Sequence, residues 1–121
     1  WSRGLGDVYK RQLQLIADCG TKGVIFLSGD RHNGEISCQR NTVAGYPIYD
    51  ITSSGLTEVS SIRQESNPDR VGGLLNGQNF GVIRVDWSET DPAVRLELHN
   101  ALGGVPESVS FPLSQLAPHK P

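Results

Sequence analysis

The chain has 121 residues, of which 36% are hydrophobic and 20% are charged, and its formal net charge is −2. This length predicts at most one domain, with a composition that is ordinary for a globular protein. The charge, without any cluster of Lys and Arg, argues against a nucleic-acid surface. No apolar run approaches the roughly 20 residues that a membrane helix needs, and no signal peptide is visible. The cellular compartment therefore stays open.

The first twelve residues, WSRGLGDVYKRQ, resemble the adapter-derived peptide DVYKRQ found at the ends of reading frames translated from assembled metagenomic DNA. We therefore predict that residues 1–12 are a non-native leader, and we leave them out of the fold prediction. The chain contains no Met, which agrees with a fragment that begins inside a gene. The alternative is a native, irregular N-terminus.

Residues 13–19 predict a short helix. Leu13, Ile16 and Ala17 have helical spacing, and Gly20 provides a stop signal. The two cysteines, Cys19 and Cys38, fit neither a disulfide framework nor a zinc pattern. We expect each of them to be a small packed residue.

A polar loop follows the most apolar run of the chain. Residues 24–27 (VIFL) are too short for a helix and predict a strand that is buried on both faces. Turn residues end this strand, and chemically active side chains follow at once. These are Asp30, Arg31, His32, Asn33 and Glu35. In open α/β sheets, ligands commonly bind at the loop beyond the carboxyl end of such a strand.

Asp30 and His32 suggest a metal site. In an extended loop, side chains two residues apart point to the same side. One carboxylate and one imidazole suit zinc, iron or manganese, and oxygen-rich surroundings would admit calcium. A catalytic metal needs about three protein ligands, so the others must come from elsewhere; Glu35 could fix the imidazole tautomer. The composition and spacing alone favour the alternative without a metal, in which Asp30 caps a turn and His32 is solvated.

The rest of the chain predicts strands separated by turns. We predict a strand at 35–38, with a short helix as the alternative, and another strand at 47–52. Residues 59–77 predict a long polar loop, in which Arg63 and Arg70 would be solvated charges or contacts for an anionic substrate. A strand at 80–87 would place Phe80 and Val82 towards a core.

Apolar and polar residues alternate from position 94 to 99, which predicts a half-buried antiparallel strand. Val94, Leu96 and Leu98 would face the core, and Arg95, Glu97 and His99 would face solvent. A hairpin turn at 102–105 and a returning strand at 108–113 complete the pattern, and residues 118–121 form a frayed tail.

Several stretches together resemble one enzyme family. LSGDRHNGEI (27–36) closely resembles the last metal-binding motif of the calcineurin-like metallophosphoesterases, and its Gly-Asp-x-His with a following Glu resembles the PhoD-like (alkaline phosphatase D) branch. YDITSSGLT (49–57), NFGVIRVDW (79–87) and FPLSQL (111–116) fit the same branch. Asp30 stands where the wider superfamily has a His, which departs from the superfamily pattern but not from the branch. The resemblance covers the chain from about residue 13 onwards.

The resemblance implies an α/β fold, in which mixed β-sheets are sandwiched between helices, and implies that residues 13–117 are its strand-rich C-terminal part. The parent would be a phosphatase or phosphodiesterase that uses two divalent or trivalent ions (iron, calcium, zinc or manganese) on a small phosphate ester or a lipid or diester substrate. Asp30 and His32 would be metal ligands, with no catalytic residue beyond them. Asn33 and Glu35 would support the ligands, and Arg31, Ser53, Ser54 and Asn79 would lie on the substrate side.

The family also has Asp-x-His, Gly-Asp and Gly-Asn-His/Asp motifs in its N-terminal half. Apart from residues 29–32 themselves, this sequence has no counterpart of them, and its only other Gly-Asp is Gly6-Asp7 in the predicted leader. We therefore expect that the N-terminal half of the domain is missing and that the fragment alone is inactive. The resemblance further implies an exported parent. The alternative is a non-catalytic, β-rich binding or interaction domain in which residues 29–32 are only a turn.

Overall fold

The computed structural model describes residues 6–29, 32–57 and 66–118. These residues form a small mixed α/β domain made mostly of strands, with two sheets, one α-helix and one short 3-10 helix. In chain order the elements are α1 (Gly6–Cys19), β1 (Ile25–Ser28), β2 (Gly34–Gln39), β3 (Ile48–Ser53), β4 (Arg70–Leu75), β5 (Asn79–Asp86), β6 (Ala93–Asn100), β7 (Glu107–Pro112) and the 3-10 helix η1 (Leu113–Leu116).

Helix α1 begins at Gly6, well before the predicted start. Its first turns are held by packing, since the Tyr9 ring meets Phe26 edge-on with centroids 5.8 Å apart. The Tyr9 hydroxyl also donates to Gln39 Oε1 (2.5 Å), and Leu13 further along the helix is buried. Residues 6–12, predicted as leader, are therefore part of the folded unit, while their non-native origin stays a prediction.

The first sheet has the strand order β1-β3-β2-β4, and only the β1–β3 pair is parallel. β3 is central and covered on both faces, so its polar residues are buried with its apolar ones. The prediction that β1 is buried on both faces is wrong. β1 is an edge strand among the described residues, and Leu27 is 71% exposed because nothing there covers it.

Strand β4 lies inside the stretch 59–77, which the sequence predicted to be a loop. Its two glycines and its polar neighbours carry little strand signal, since glycine is depleted in strands. Pairing with β2 stabilises this strand, and Ile36 lies opposite Val71. Gly72 has φ +80, and its missing Cβ lets the Glu107 carboxylate approach. The long loop is thus shorter than predicted, and residues 58–65, with Arg63, lie outside the described part.

The second sheet is antiparallel, with the order β5-β6-β7, and it packs on one face of the first sheet. Tyr49 stacks on Phe111 with centroids 4.2 Å apart, and Gly81 lies directly over Ile51. The prediction that Val94, Leu96 and Leu98 form a buried face is confirmed, as is the hairpin between β6 and β7.

Two predictions about the second sheet are wrong. Phe80 is 44% exposed, because the register places it on the outer face opposite His99, on which its ring stacks. Glu97 lies on that same face, but it is only 6% exposed. Arg84, Arg95 and His99 cover its carboxylate and hold it at 2.7–2.9 Å.

The remaining predictions concern the two cysteines, the C-terminal tail and membrane-spanning helices. Cys38 is buried as expected, whereas Cys19 is exposed at the end of α1, where nothing packs over it. The tail beyond Pro118 lies outside the described residues. No helix in the described part is long and apolar enough to cross a membrane.

Candidate functional site

The candidate site lies where the parallel strands β1 and β3 end. Since the two strands run in the same direction, the segments that follow them emerge at the same edge of the sheet. The segment after β1 leads to His32, and the segment after β3 contains Ser54 and Gly55. Asp30 and Arg31 lie outside the described residues, so their predicted roles stay predictions.

His32 has an unusual backbone. Its φ is +55, and it is the only non-glycine residue with a positive φ in the described part of the chain. The left-handed region is uncommon outside glycine, although His, Asn and Asp enter it more readily than most residues. Such a conformation persists where the surroundings enforce it, and these positions cluster at functional sites.

The loop after β3 enforces this conformation. The His32 amide donates to Ser54 Oγ (2.9 Å), and the Ser54 amide donates to the Asn33 carbonyl (3.1 Å). These two hydrogen bonds connect the backbone of His32 and Asn33 to Ser54. Ser54, predicted on the substrate side, thus uses its hydroxyl oxygen to hold the backbone of the candidate metal ligand.

Asn33 adds a polar atom that needs a partner. Its residue is 1% exposed, and its Oδ1 has no hydrogen-bond partner within the part of the chain that the structure describes. A buried, unpaired acceptor of this kind calls for a donor or a cation. An imidazole and a carboxamide oxygen are ligand types that suit a borderline or hard divalent ion.

The described residues do not complete such a site by themselves. Among residues 6–29, 32–57 and 66–118, no three His, Cys, Asp or Glu side chains converge as metal ligands would. His32 is therefore a single candidate ligand, and Ser54 holds its backbone in place.

Glu35 lies on β2 beside this loop, and it has a charged partner. Its carboxylate accepts from Arg70 Nε at 2.8 Å, with both side chains mostly buried. Arg70, read from the sequence as a solvated charge or a contact for an anionic substrate, therefore neutralises Glu35 within the sheet. This pair connects β2 to the edge strand β4.

Asn79 lies behind the loop, at the start of β5, and is 1% exposed. Its Oδ1 accepts from the Ser53 hydroxyl (2.9 Å), and its Nδ2 donates to the Gly77 carbonyl (2.8 Å). The backbones of Gly34 and Gly55 come so close that a Cβ on either one would collide with the Asn79 amide. Asn79 and Ser53, both predicted on the substrate side, thus support the loop from within.

The sequence reading missed Asp50 and Ser28. Asp50 is 8% exposed on β3, and its Oδ2 accepts from Ser28 Oγ at 2.6 Å. Burial raises the pKa of Asp50, an effect that the bond from Ser28 partly offsets. A sequence signal did exist, because Asp50 and Thr52 lie two apart in a strand and so share one face.

Comparison with family models, with curated protein sequences and with solved structures finds no match for this chain. The geometry of this loop and the resemblance of its motif are therefore the two observations that bear on function.

Proposed function

We propose that this chain is the C-terminal part of a PhoD-like metallophosphoesterase domain, and that it contributes Asp30 and His32 to the metal centre of a phosphoric ester hydrolase. The observation that carries this proposal is the left-handed His32, held by Ser54 at the carboxyl ends of two parallel strands. An ordinary solvent-exposed turn would not need a histidine in a disfavoured conformation, bonded on both sides to a second loop.

The burial of Asn33 supports the same proposal. Its unpaired Oδ1 lies one residue from His32 and provides an oxygen that a cation or a metal-bound water could satisfy. When bound, a pair of metal ions would clamp the phosphoryl oxygens and lower the pKa of a bound water. In this chain His32 and Asp30 would bind metal, and Ser54 and Asn79 would hold the loop in place.

A direct test uses the 121-residue chain. Mn²⁺ is titrated into ¹⁵N-labelled protein, and paramagnetic broadening identifies the amides near the ion. We expect broadening centred on Gly29 to Gly34 and its loss in His32→Asn, which tolerates the left-handed backbone. His119→Asn, which removes an imidazole from the C-terminal tail, is the matched control and should bind Mn²⁺ like the wild type. Equal broadening in His32→Asn would refute the proposal.

Turnover gives a second test. We expect the 121-residue chain not to hydrolyse p-nitrophenyl phosphate or its bis ester, because only one of the family's metal motifs is matched in this sequence. The longer reading frame recovered from the source DNA should hydrolyse one of these esters, with His32→Asn lowering kcat at least a hundredfold and His119→Asn leaving it unchanged. Full activity in His32→Asn would contradict the assignment.

One observation favours the alternative, a binding domain. A cavity of about 260 Å³ lies beside β1, lined by Leu27, Ser28, Ile51, Ser53, Gly81 and Ile83. Apolar concave surfaces are typical of binding sites. If His32→Asn changes neither metal binding nor activity, this reading becomes the better one.

A further inference from the structure

Both ends of the segment between β1 and β2 are attached to β3. After the loop, His32 is held by Ser54, just beyond the end of β3. Before the loop, Ser28 ends β1, and its hydroxyl donates to the Asp50 carboxylate at 2.6 Å. A short bond to a charged acceptor is among the stronger hydrogen bonds in proteins.

Asp50 is suited to a positioning role because its carboxylate is buried and has few competing partners. None of the ion pairs among the described residues includes Asp50, whereas its neighbour Glu35 is neutralised by Arg70. Within residues 6–29, 32–57 and 66–118, the other side-chain donor to Asp50 is Thr52 Oγ1, at a weak 3.4 Å. The Ser28 hydroxyl is thus the main group that offsets the cost of burying this charge.

The register explains why this bond acts on the loop. Asp50 pairs with Phe26, and Ser28 pairs with Thr52, so the bond runs diagonally along one face of the parallel pair. Ser28 is the last strand residue before Gly29, which has no side chain of its own to restrict rotation of the backbone.

We propose that Asp50 is a positioning residue, which orients the segment leading to His32 by holding Ser28. The functional meaning of this role, the placing of a metal-binding loop, depends on the function proposed above. Asp50 acts through Ser28 and is not itself offered as a ligand.

The test is a double-mutant cycle of Ser28→Ala and Asp50→Ala, with two readouts. The first is the amide exchange rate of His32 in metal-free protein, and the second is the affinity for Mn²⁺. We expect each single variant to speed exchange at His32 and weaken Mn²⁺ binding by about tenfold, as the loss of one charge-assisted hydrogen bond would. The double variant should be no worse than either single one, because both changes remove the same bond.

Two further variants separate positioning from general damage. Asp50→Asn keeps an oxygen that can accept from Ser28, so it should restore both readouts to near the wild-type values. Ser37→Ala removes another buried hydroxyl, opposite Asp50 on β2, which bonds Asn67 and not the loop. It should leave both readouts at His32 unchanged.

The outcomes also separate this inference from the proposed function. If Ser28→Ala resembles Ser37→Ala, or if the effects of Ser28→Ala and Asp50→Ala add, the positioning role is refuted even where Mn²⁺ binds at His32. If His32 exchange responds as expected but the wild type binds no Mn²⁺, the positioning role stands and the proposed function fails.

Discussion

Replacing Gly55 by Ala should destabilise the protein strongly, although the change adds only one methyl group. The new Cβ would collide with Asn79 Nδ2 and would lie 3.2 Å from the His32 carbonyl oxygen. Asn79 cannot simply move aside, because it is 1% exposed and its amide is held by Ser53 and by the Gly77 carbonyl.

The magnitude follows from two costs. Overpacking a well-filled interior costs about 1–3 kcal/mol. Displacing the Asn79 amide leaves buried polar groups without partners, at about 1–3 kcal/mol. Together we expect a loss of about 2–6 kcal/mol in the free energy of unfolding, which at a slope of about 2 kcal/mol per M would move the urea midpoint by about 1–3 M.

The assay is equilibrium urea denaturation, followed by tryptophan fluorescence, with Gly77→Ala as the control. A Cβ at Gly77 would meet nothing within 4 Å, and its φ is not positive. That variant should be neutral or gain up to about 1 kcal/mol, since Ala reduces the entropy of the unfolded chain. In an Asn79→Ala background, Gly55→Ala should cost little more, because the colliding amide is gone. Equal stability of Gly55→Ala and Gly77→Ala would refute this account of the loop.

Three further predictions concern charge and exposure. Hydrogen bonds from His99 and from two arginines lower the pKa of Glu97 from 4.5 to about 2. Because a lowered carboxyl pKa stabilises the fold above about pH 4.5, the stability should fall as the pH drops from about 4.5 towards 2. Glu97→Gln should remove this part of the acid-denaturation profile. Arg70→Met should cost about 3 kcal/mol in urea denaturation, because it leaves the mostly buried Glu35 carboxylate without its partner; a loss below about 0.5 kcal/mol would show that the pair is effectively solvated. Leu27→Lys should reduce self-association in analytical ultracentrifugation, since Leu27 is 71% exposed on an edge strand and charged edges resist strand pairing; an unchanged sedimentation profile would contradict this.

Local sequence patterns were sufficient for most strands of this protein. The alternation of Val94, Leu96 and Leu98 predicted a half-buried strand, and two glycines predicted the hairpin turn after it. The run 24–27, followed at once by turn residues, predicted a strand that ends at a polar loop. These patterns depend on neighbouring residues alone, so they could be read without the fold.

The errors occur where burial depends on a distant partner. Leu27 belongs to an apolar run, but it is exposed because β1 lies at the edge of its sheet among the described residues. Glu97 occupies a polar position of an alternating strand, but three basic side chains from β5 and β6 cover it. The exposure of Leu27 and the contact between Arg84 and Glu97 depend on strand pairing, whereas Arg95 and His99 lie two residues from Glu97 on its own strand.

For the candidate site, the sequence by itself determined which residue types lie after β1, and the resemblance pointed to His32 and Asp30. Only the tertiary structure decided how the loop is held. It brings Ser54 onto the His32 backbone, Asp50 onto Ser28 and Asn79 against Gly55, across separations of 22 to 24 residues in the chain. The physical reason is that a parallel strand pair joins segments far apart in sequence at one edge, where hydrogen bonds between their ends form only after the sheet has assembled.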